Sequence, residues 1–244
     1  MKVLIPLPKK DFDPSEVVIP WSILRTGCQV VFATPDGVRS VPDNHTLTGD
    51  GLGLLSPVLK TGKRVKHALD EMMNTHYFHH PITYEEAYNT DFEGIILPGV
   101  HVDGAKDYLE SETLQKLITK HMQKRKPIGA ICQGLLILAR CKGSNKLSLI
   151  YDKKVTGLPK VFEWLSHDFP KGLFADNVER LSLEDEVKSV LKNKDQFKAG
   201  PPPLLKDSLS RLWIGHVVKD ENLVTARWAG DAHRFAMEFK EMLL

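Results

Sequence analysis

The sequence predicts a single α/β domain in which a mostly parallel sheet is covered by helices on both faces. Short aliphatic and β-branched runs alternate with helical stretches over much of the 244 residues. Those runs are apolar throughout, as strands buried on both faces are, and lack the apolar/polar alternation of half-exposed strands. Glycine, proline and aspartate cluster where the runs end, which marks the turns between strand and helix. A sheet of this kind opens its functional crevice at the carboxyl ends of its strands.

Lys2–Pro6 reads as the first strand. Asp13 then supplies an N-cap oxygen, Pro14 suits the first helical position, and Glu16 stands where a capping box needs an acid, so a helix opens here and runs to Thr26. Gly27 ends it, Gln29–Ala33 is a second strand, and Thr34–Gly37 is a turn, completing a βαβ unit. From Val38 to Asp91 the pattern loosens. Gly49, Gly51, Gly53 and Gly62 precede a helical stretch near Val65–Asn74. A segment this long between core elements predicts a cap or lid over the site, at about residues 38–91 of one domain spanning 1–244.

Alternation resumes with Gly94–Leu97, the turn Pro98–His101, and a helix capped by Ser111 that sets Leu114, Leu117, Ile118 and Met122 at helical spacing. Pro127–Ile131 is a buried-type strand and Leu135–Ala139 a buried-type helix. Leu212–Val218 and Leu223–Ala226 read as a hairpin-linked strand pair. Asp231–Leu244 reads as a closing helix with Ala232, Phe235, Ala236 and Phe239 inward.

Composition narrows the function classes. With 42% hydrophobic and 26% charged residues the chain is an ordinary globular protein. A formal charge of +2, without a dense Lys/Arg stripe, predicts neither a nucleic acid nor a membrane partner and leaves a small-molecule or peptide-like substrate. No apolar run approaches the roughly 20 residues that span a bilayer, and Val3–Leu7 meets Lys9, Lys10 and Asp11 at once, as a strand does and a signal peptide does not. Three unevenly spaced cysteines make no disulfide framework, so a reducing, cytoplasmic setting is expected.

Cys132 stands where a strand becomes a helix, with Ala130 two residues before it and Gly134 two after. Small residues at those positions let strand and helix approach, leaving a nucleophile on a strained, exposed elbow. The helix N-terminus is expected to lower the thiol pKa there. The alternative is a buried structural cysteine. The turn after the preceding strand could bring the Val100 amide near Cys132, so that Val100 and Gln133 N–H groups bind a developing oxyanion; any βα turn carries Pro and Gly, however. Glu16 is explained by capping alone, yet its helix follows the first strand toward the same crevice, where a carboxyl could exchange a proton with sulfur. His101, directly after the Gly99 turn, is a candidate base or a polar turn residue, and His233 reads as a cap. His76, His79 and His80 precede Pro81 without a nearby acidic or thiol partner, so no metal is expected. Cys28 and Cys141 lack the elbow context and read as small apolar residues.

Four segments carry a family likeness: Asp11–Pro20, Phe32–Gly37, Ile95–Gly99 with His101 and Tyr108–Ser111, and Gly129–Gly134. With the closing stretch Ala226–His233, they resemble the ThiJ/PfpI superfamily, within the class I glutamine amidotransferase-like fold. The resemblance implies a flavodoxin-like three-layer sandwich, a catalytic cysteine at Cys132, an acid beside it at Glu16, and oxyanion amides at Val100 and Gln133. It also implies catalysis without a cofactor, and a homodimer. Activities across the superfamily include cofactor-free glyoxalase, deglycase-like hydrolysis of carbonyl adducts, peptidase and holding chaperone, so fold does not settle function. Two departures bear on this. Many relatives place His directly after the cysteine, where Gln133 stands and cannot exchange a proton near neutral pH. The usual Gly-Gly turn is here Gly99-Val100, which restricts the backbone where an oxyanion amide is needed.

The leading expectation is a cysteine-dependent enzyme acting on small reactive carbonyl compounds or their adducts, a lyase or hydrolase with Cys132 as nucleophile and Glu16 moving protons. The alternatives are a redox-sensing or chaperone-like protein with impaired catalysis, and a hydrolase or amidotransferase-like enzyme using His101 as base.

Overall fold

The computed structural model describes residues 1–50, 52, 56–101, 105–163 and 182–244; Gly51 and Gly53 of the predicted cap lie outside them. The described elements run β1 Lys2–Pro6, β2 Lys10–Phe12, α1 Pro14–Leu24, β3 Gln29–Thr34, β4 Val41–Pro42, α2 Asn44–Thr48, α3 Ser56–Leu59, α4 Lys63–Met73, α5 His76–His79, β5 Ile82–Thr83, α6 Tyr84–Tyr88, β6 Gly94–Leu97, α7 Ala105–Leu109, α8 Glu112–Gln123, β7 Ile128–Ile131, α9 Gly134–Arg140, α10 Leu183–Val190, β8 Val217–Asp220, β9 Leu223–Ala226 and α11 Ala232–Met242.

Seven strands form the central sheet in the order β5-β3-β1-β6-β7-β9-β8, parallel except for the antiparallel β8–β9 hairpin. The alternating direction of strand side chains splits the core in two. Leu4, Val31, Ile95, Leu97, Ile128 and Ala130 join one apolar cluster with residues of α6, α8, α9 and α10. Val3, Ile5, Phe32, Ile96, Ile131 and Val224 join the other, with α1, α4 and α11. This is the predicted flavodoxin-like sandwich. The chain winds from β1 out to β3 and β5, then returns to the other side of β1 to lay down β6 and β7. The β1/β6 boundary is therefore the switch point at which such sheets open a crevice.

The described residues between 41 and 88 hold two short strands and five helices. β4 pairs with β2 beside the switch point, while α4 packs on α1 and α6 on α8, within the helical layers. At the far edge the hairpin differs from the pattern. The strand begins at Val217, and Leu212–Ile214 is a 3-10 turn. Arg234 Nη1 donates to Gly215 O at 2.9 Å and the His216 N–H donates to Asp231 Oδ1 at 2.9 Å, so backbone groups that would have joined a longer ladder bond to side chains instead. The closing helix buries Ala232, Phe235, Ala236 and Phe239, the four residues its periodicity turns inward.

Candidate active site

Three adjacent strands, β1, β6 and β7, deliver their carboxyl ends to one place, and each contributes a piece. β7 presents Cys132. Its φ of +53° lies in the left-handed region that a non-glycine residue occupies at a cost of about 1–3 kcal/mol. The conformation is held from both sides. The Cys132 N–H donates to Ala226 O of β9 at 3.1 Å, and α9 starts at Gly134, where a Cβ would collide with the carbonyl of Leu97. Only glycine lets α9 leave so close to β6, which is the packing that an elbow needs. Cys132 is half-buried, whereas Cys28 and Cys141 are buried and pack among apolar side chains. Burial pushes the Cys141 thiol up to about 12.

β1 leads into α1, which positions Glu16. Asp13 caps the helix as the sequence predicts, its Oδ1 accepting the N–H groups of Ser15 at 2.8 Å and Glu16 at 3.1 Å. The Glu16 side chain does not complete a capping box. It turns into the crevice, where its Oε2 accepts the Gly99 N–H at 2.7 Å and its carboxyl lies beside Cys132, close enough for each to shift the other's pKa. Gly99 is wedged between them: a Cβ there would stand 2.5 Å from Glu16 Oε2 and 3.2 Å from Cys132 Cβ. Glu16 is only 2% exposed, so its carboxyl is shielded from bulk water.

The electrostatics follow from that burial. Loss of water raises the Glu16 pKa well above the usual carboxyl range, the charge of Asp13 adds to the rise, and the Gly99 amide and Cys132 thiol offset part of it. Burial likewise pushes the Cys132 thiol well up, reinforced by the charges of Glu16, Asp13 and Glu163 and opposed by the adjacent Gln133 N–H. The expectation of a depressed thiol pKa is thus reversed. The dipole of α9, seven residues long, is outweighed by desolvation and three carboxyl groups.

β6 supplies the turn Pro98–His101. The Asp13 N–H donates to Gly99 O at 3.4 Å and the His101 N–H to Asp11 O at 2.8 Å, an antiparallel bridge that fixes the turn against β2. In such a bridge the Val100 N–H points away from β2. The structure therefore brings together Cys132, Glu16, Gly99, Gln133 and Gly134. His101 stands with its Nε2 3.7 Å from Asp13 Oδ2, among the charges of Asp43, Asp13 and Asp11. His233 bonds to Asp207 at 2.9 Å and so does belong to a cap, since Asp207 also accepts the N–H groups of His233 and Arg234.

Sequence reasoning gave Asp13 only a capping role and passed over Asp43, Glu163 and Lys206. Asp43 caps α2 beside the site, and the spacing of Asp43 and Thr46 was a legible signal. Lys206 lies near enough to feel Asp13, its Nζ donating to Lys60 O at 2.8 Å, and nothing local in its sequence announces that. Among the described residues no three His, Cys, Asp or Glu side chains group as metal ligands would, and no helix is long and apolar enough to cross a membrane.

Comparison with known proteins places this geometry in context. The family model described as the DJ-1/PfpI family matches residues 1–242. Glyoxalase III from Candida albicans is similar in structure, with a TM-score of 0.69 at 18% identity over 99% of this chain and 97% of that one. Rapid Encystment Protein 24 kDa from Francisella tularensis aligns at a TM-score of 0.68 and 18% identity, over 100% of this chain and 99% of that one. DJ-1beta from Drosophila melanogaster aligns at 0.57 and 17% identity, over 99% and 89%. No curated protein is similar enough in sequence to match the chain.

Proposed function

Because this chain belongs to the DJ-1/PfpI family, we propose that the Cys132–Glu16 pair is the active site of a cofactor-free enzyme acting on small α-oxoaldehydes or their adducts. The observation that carries the reading is the Glu16 carboxyl, buried, turned toward Cys132 across Gly99 and held there by the Gly99 amide. A structural glutamate at the third position of a helix would turn back to its cap. The structural similarity to a glyoxalase III supports the choice of substrate class.

The chemistry follows from where protons sit. A resting thiolate is disfavoured, so sulfur attacks the aldehyde carbon as its proton passes to Glu16, whose raised pKa makes it a stronger base than an exposed carboxylate. The product is a hemithioacetal. The Gln133 N–H, and the Val100 N–H where the turn allows, stabilise the oxygen as it gains charge. Glu16 gives the thiol's proton to that oxygen and, ionised again, takes the hemithioacetal C–H proton and delivers it to the neighbouring carbonyl carbon while the hydroxyl proton passes to the neighbouring oxygen, giving a 2-hydroxyacyl thioester that water hydrolyses to the 2-hydroxy acid and the free thiol. No external oxidant enters, because one carbon is oxidised as its neighbour is reduced. Gln133 binds but moves no proton, so the whole burden falls on Glu16.

Incubation with methylglyoxal and assay of lactate tests the reading. Lactate should form, should fall to background in Cys132→Ser, and should drop about 10²- to 10⁴-fold in Glu16→Gln. No turnover by the wild type, or turnover unchanged in Cys132→Ser, removes it.

A further inference from the structure

His101 is not needed for the steps above, and its surroundings assign it another task. Asp13 uses its two carboxylate oxygens on two different partners. Oδ1 accepts the Ser15 and Glu16 N–H groups at the start of α1, while Oδ2 faces His101 Nε2 at 3.7 Å. One carboxylate thus stands between an imidazole and the residue whose carboxyl lies beside Cys132. The backbone makes the link stiff: Asp13 N–H to Gly99 O, His101 N–H to Asp11 O, and Gly99 N–H to Glu16 Oε2 tie the two loops and the carboxyl into one closed set of bonds.

We propose that His101 is a positioning residue that acts on the Glu16–Cys132 pair through Asp13, so that gain or loss of its proton sets the reactivity of the thiol. When the imidazole is charged, it balances Asp13 and relieves the negative field on Glu16 and Cys132. When it is neutral, the Asp13 charge falls on both without compensation. The groups that face this relay are Asp11 and Asp43 around His101, Lys206 near Asp13, Asp231 near Glu16, and Glu163 near Cys132. Burial disfavours the imidazolium, but the interaction with Asp13 and the charges of Asp43, Asp13 and Asp11 outweigh it and raise the His101 pKa. The Asp13 charge also ranks next after burial among the influences on Glu16, so removing its effect changes the pair directly.

The inference concerns the site of the proposed enzyme, but its test does not need turnover. The rate of alkylation of Cys132 by iodoacetamide, read by mass spectrometry of the Cys132 peptide of the native protein, is followed from pH 5.5 to 9. In the wild type the rise of rate with pH should flatten through the His101 titration, because deprotonation of the imidazole opposes ionisation of the thiol. His101→Gln should react about tenfold more slowly than wild type at the acid end and converge with it at the alkaline end, a tenfold change corresponding to one unit of thiol pKa. His101→Lys, which keeps a charge, should follow the unflattened line and exceed the wild type at the alkaline end. In an Asp13→Asn background His101→Gln should have no further effect. A wild-type profile without the flattening, or a full His101→Gln effect persisting beside Asp13→Asn, would overturn the relay. The first of these needs no variant to fold. An active enzyme with an unaltered profile would sink the relay and leave the proposed function standing, whereas the relay with no lactate would do the reverse.

Discussion

Two buried acids stand near the carboxyl ends of these strands, and they are treated in opposite ways. Asp231 is fully buried and faces Arg227, 1% exposed, in a two-pronged fork: Nε to Oδ2 at 2.8 Å and Nη2 to Oδ1 at 2.8 Å. The same carboxylate takes the His216 N–H, and Arg227 Nη1 donates to Pro201 O, so both charges are matched by fixed partners. Glu16 is nearly as deeply buried and is bonded to the Gly99 amide, and the charges acting on it most strongly are those of other acids. Burial raises the pKa of both acids, but at Asp231 the Arg227 fork and the His216 N–H offset part of the rise and the carboxylate joins segments. Glu16, with an amide and no counter-charge among its strongest influences, is raised well above its ordinary value. That contrast separates an acid matched by a counter-charge from one whose strongest charged neighbours are acids.

The largest expected effect breaks the first half of the contrast. Arg227→Leu leaves Asp231 buried without its counter-charge and should cost about 3–5 kcal/mol, read as a fall in the urea midpoint at pH 7. Arg227→Leu with Asp231→Leu should recover much of that loss. A single variant as stable as the wild type would show that the fork is not what keeps Asp231 in place.

Much of the scaffold was legible in the sequence because it rests on local rules. The Asp13 and Ser111 caps, the apolar strand runs and the inward face of α11 are each written within a few residues, and each is found where periodicity and cap chemistry put it. Cys132 was legible for the same reason, since the small residues flanking it report the elbow. The sign of the thiol shift was not. It depends on Asp13, Glu16 and Glu163 converging from segments far apart in the chain, and a local rule about helix N-termini carries no information on that sum. Glu16 was placed beside Cys132 by the family likeness and not by its spacing. Its position fits a capping box, and only the close approach of Gly99 shows that its carboxyl is used elsewhere.

A third buried titratable group sharpens the comparison by solving the same problem with neutrality. His121 on α8 is buried, its Nε2 is 3.1 Å from Pro127 O, and burial depresses its pKa to about 4 against the Pro127 bond. The folded value lies below the unfolded one, so between pH 6.5 and about 4 the unfolded chain binds a proton that the folded chain does not. Stability is therefore lost as pH falls through that window, by up to about 3 kcal/mol from this residue. Urea midpoints between pH 4 and 7 should show a slope that His121→Leu flattens; an unchanged slope in that variant would assign the acid sensitivity to other groups.

Glu16→Gln carries the smallest expected change in stability and tests the second half of the contrast. The glutamine carbonyl keeps the acceptor for the Gly99 N–H, so the turn stays anchored while the ionisable group is removed. The folded pKa of Glu16 lies above its unfolded value, so from about pH 4.5 upward the unfolded chain gives up this proton more readily, and stability falls as pH rises toward the folded value. Glu16→Gln should therefore match the wild type near pH 4 and exceed it by about 1 kcal/mol at pH 8, measured as the urea midpoint at both values. The same substitution is expected to slow lactate formation, so stability and activity should move in opposite directions in one variant, as they do where a strained, desolvated group is kept for its chemistry. A variant less stable than the wild type at pH 8 would mean that the ionised carboxylate is a structural partner of the crevice, and Glu16 would then stand beside Asp231 instead of against it.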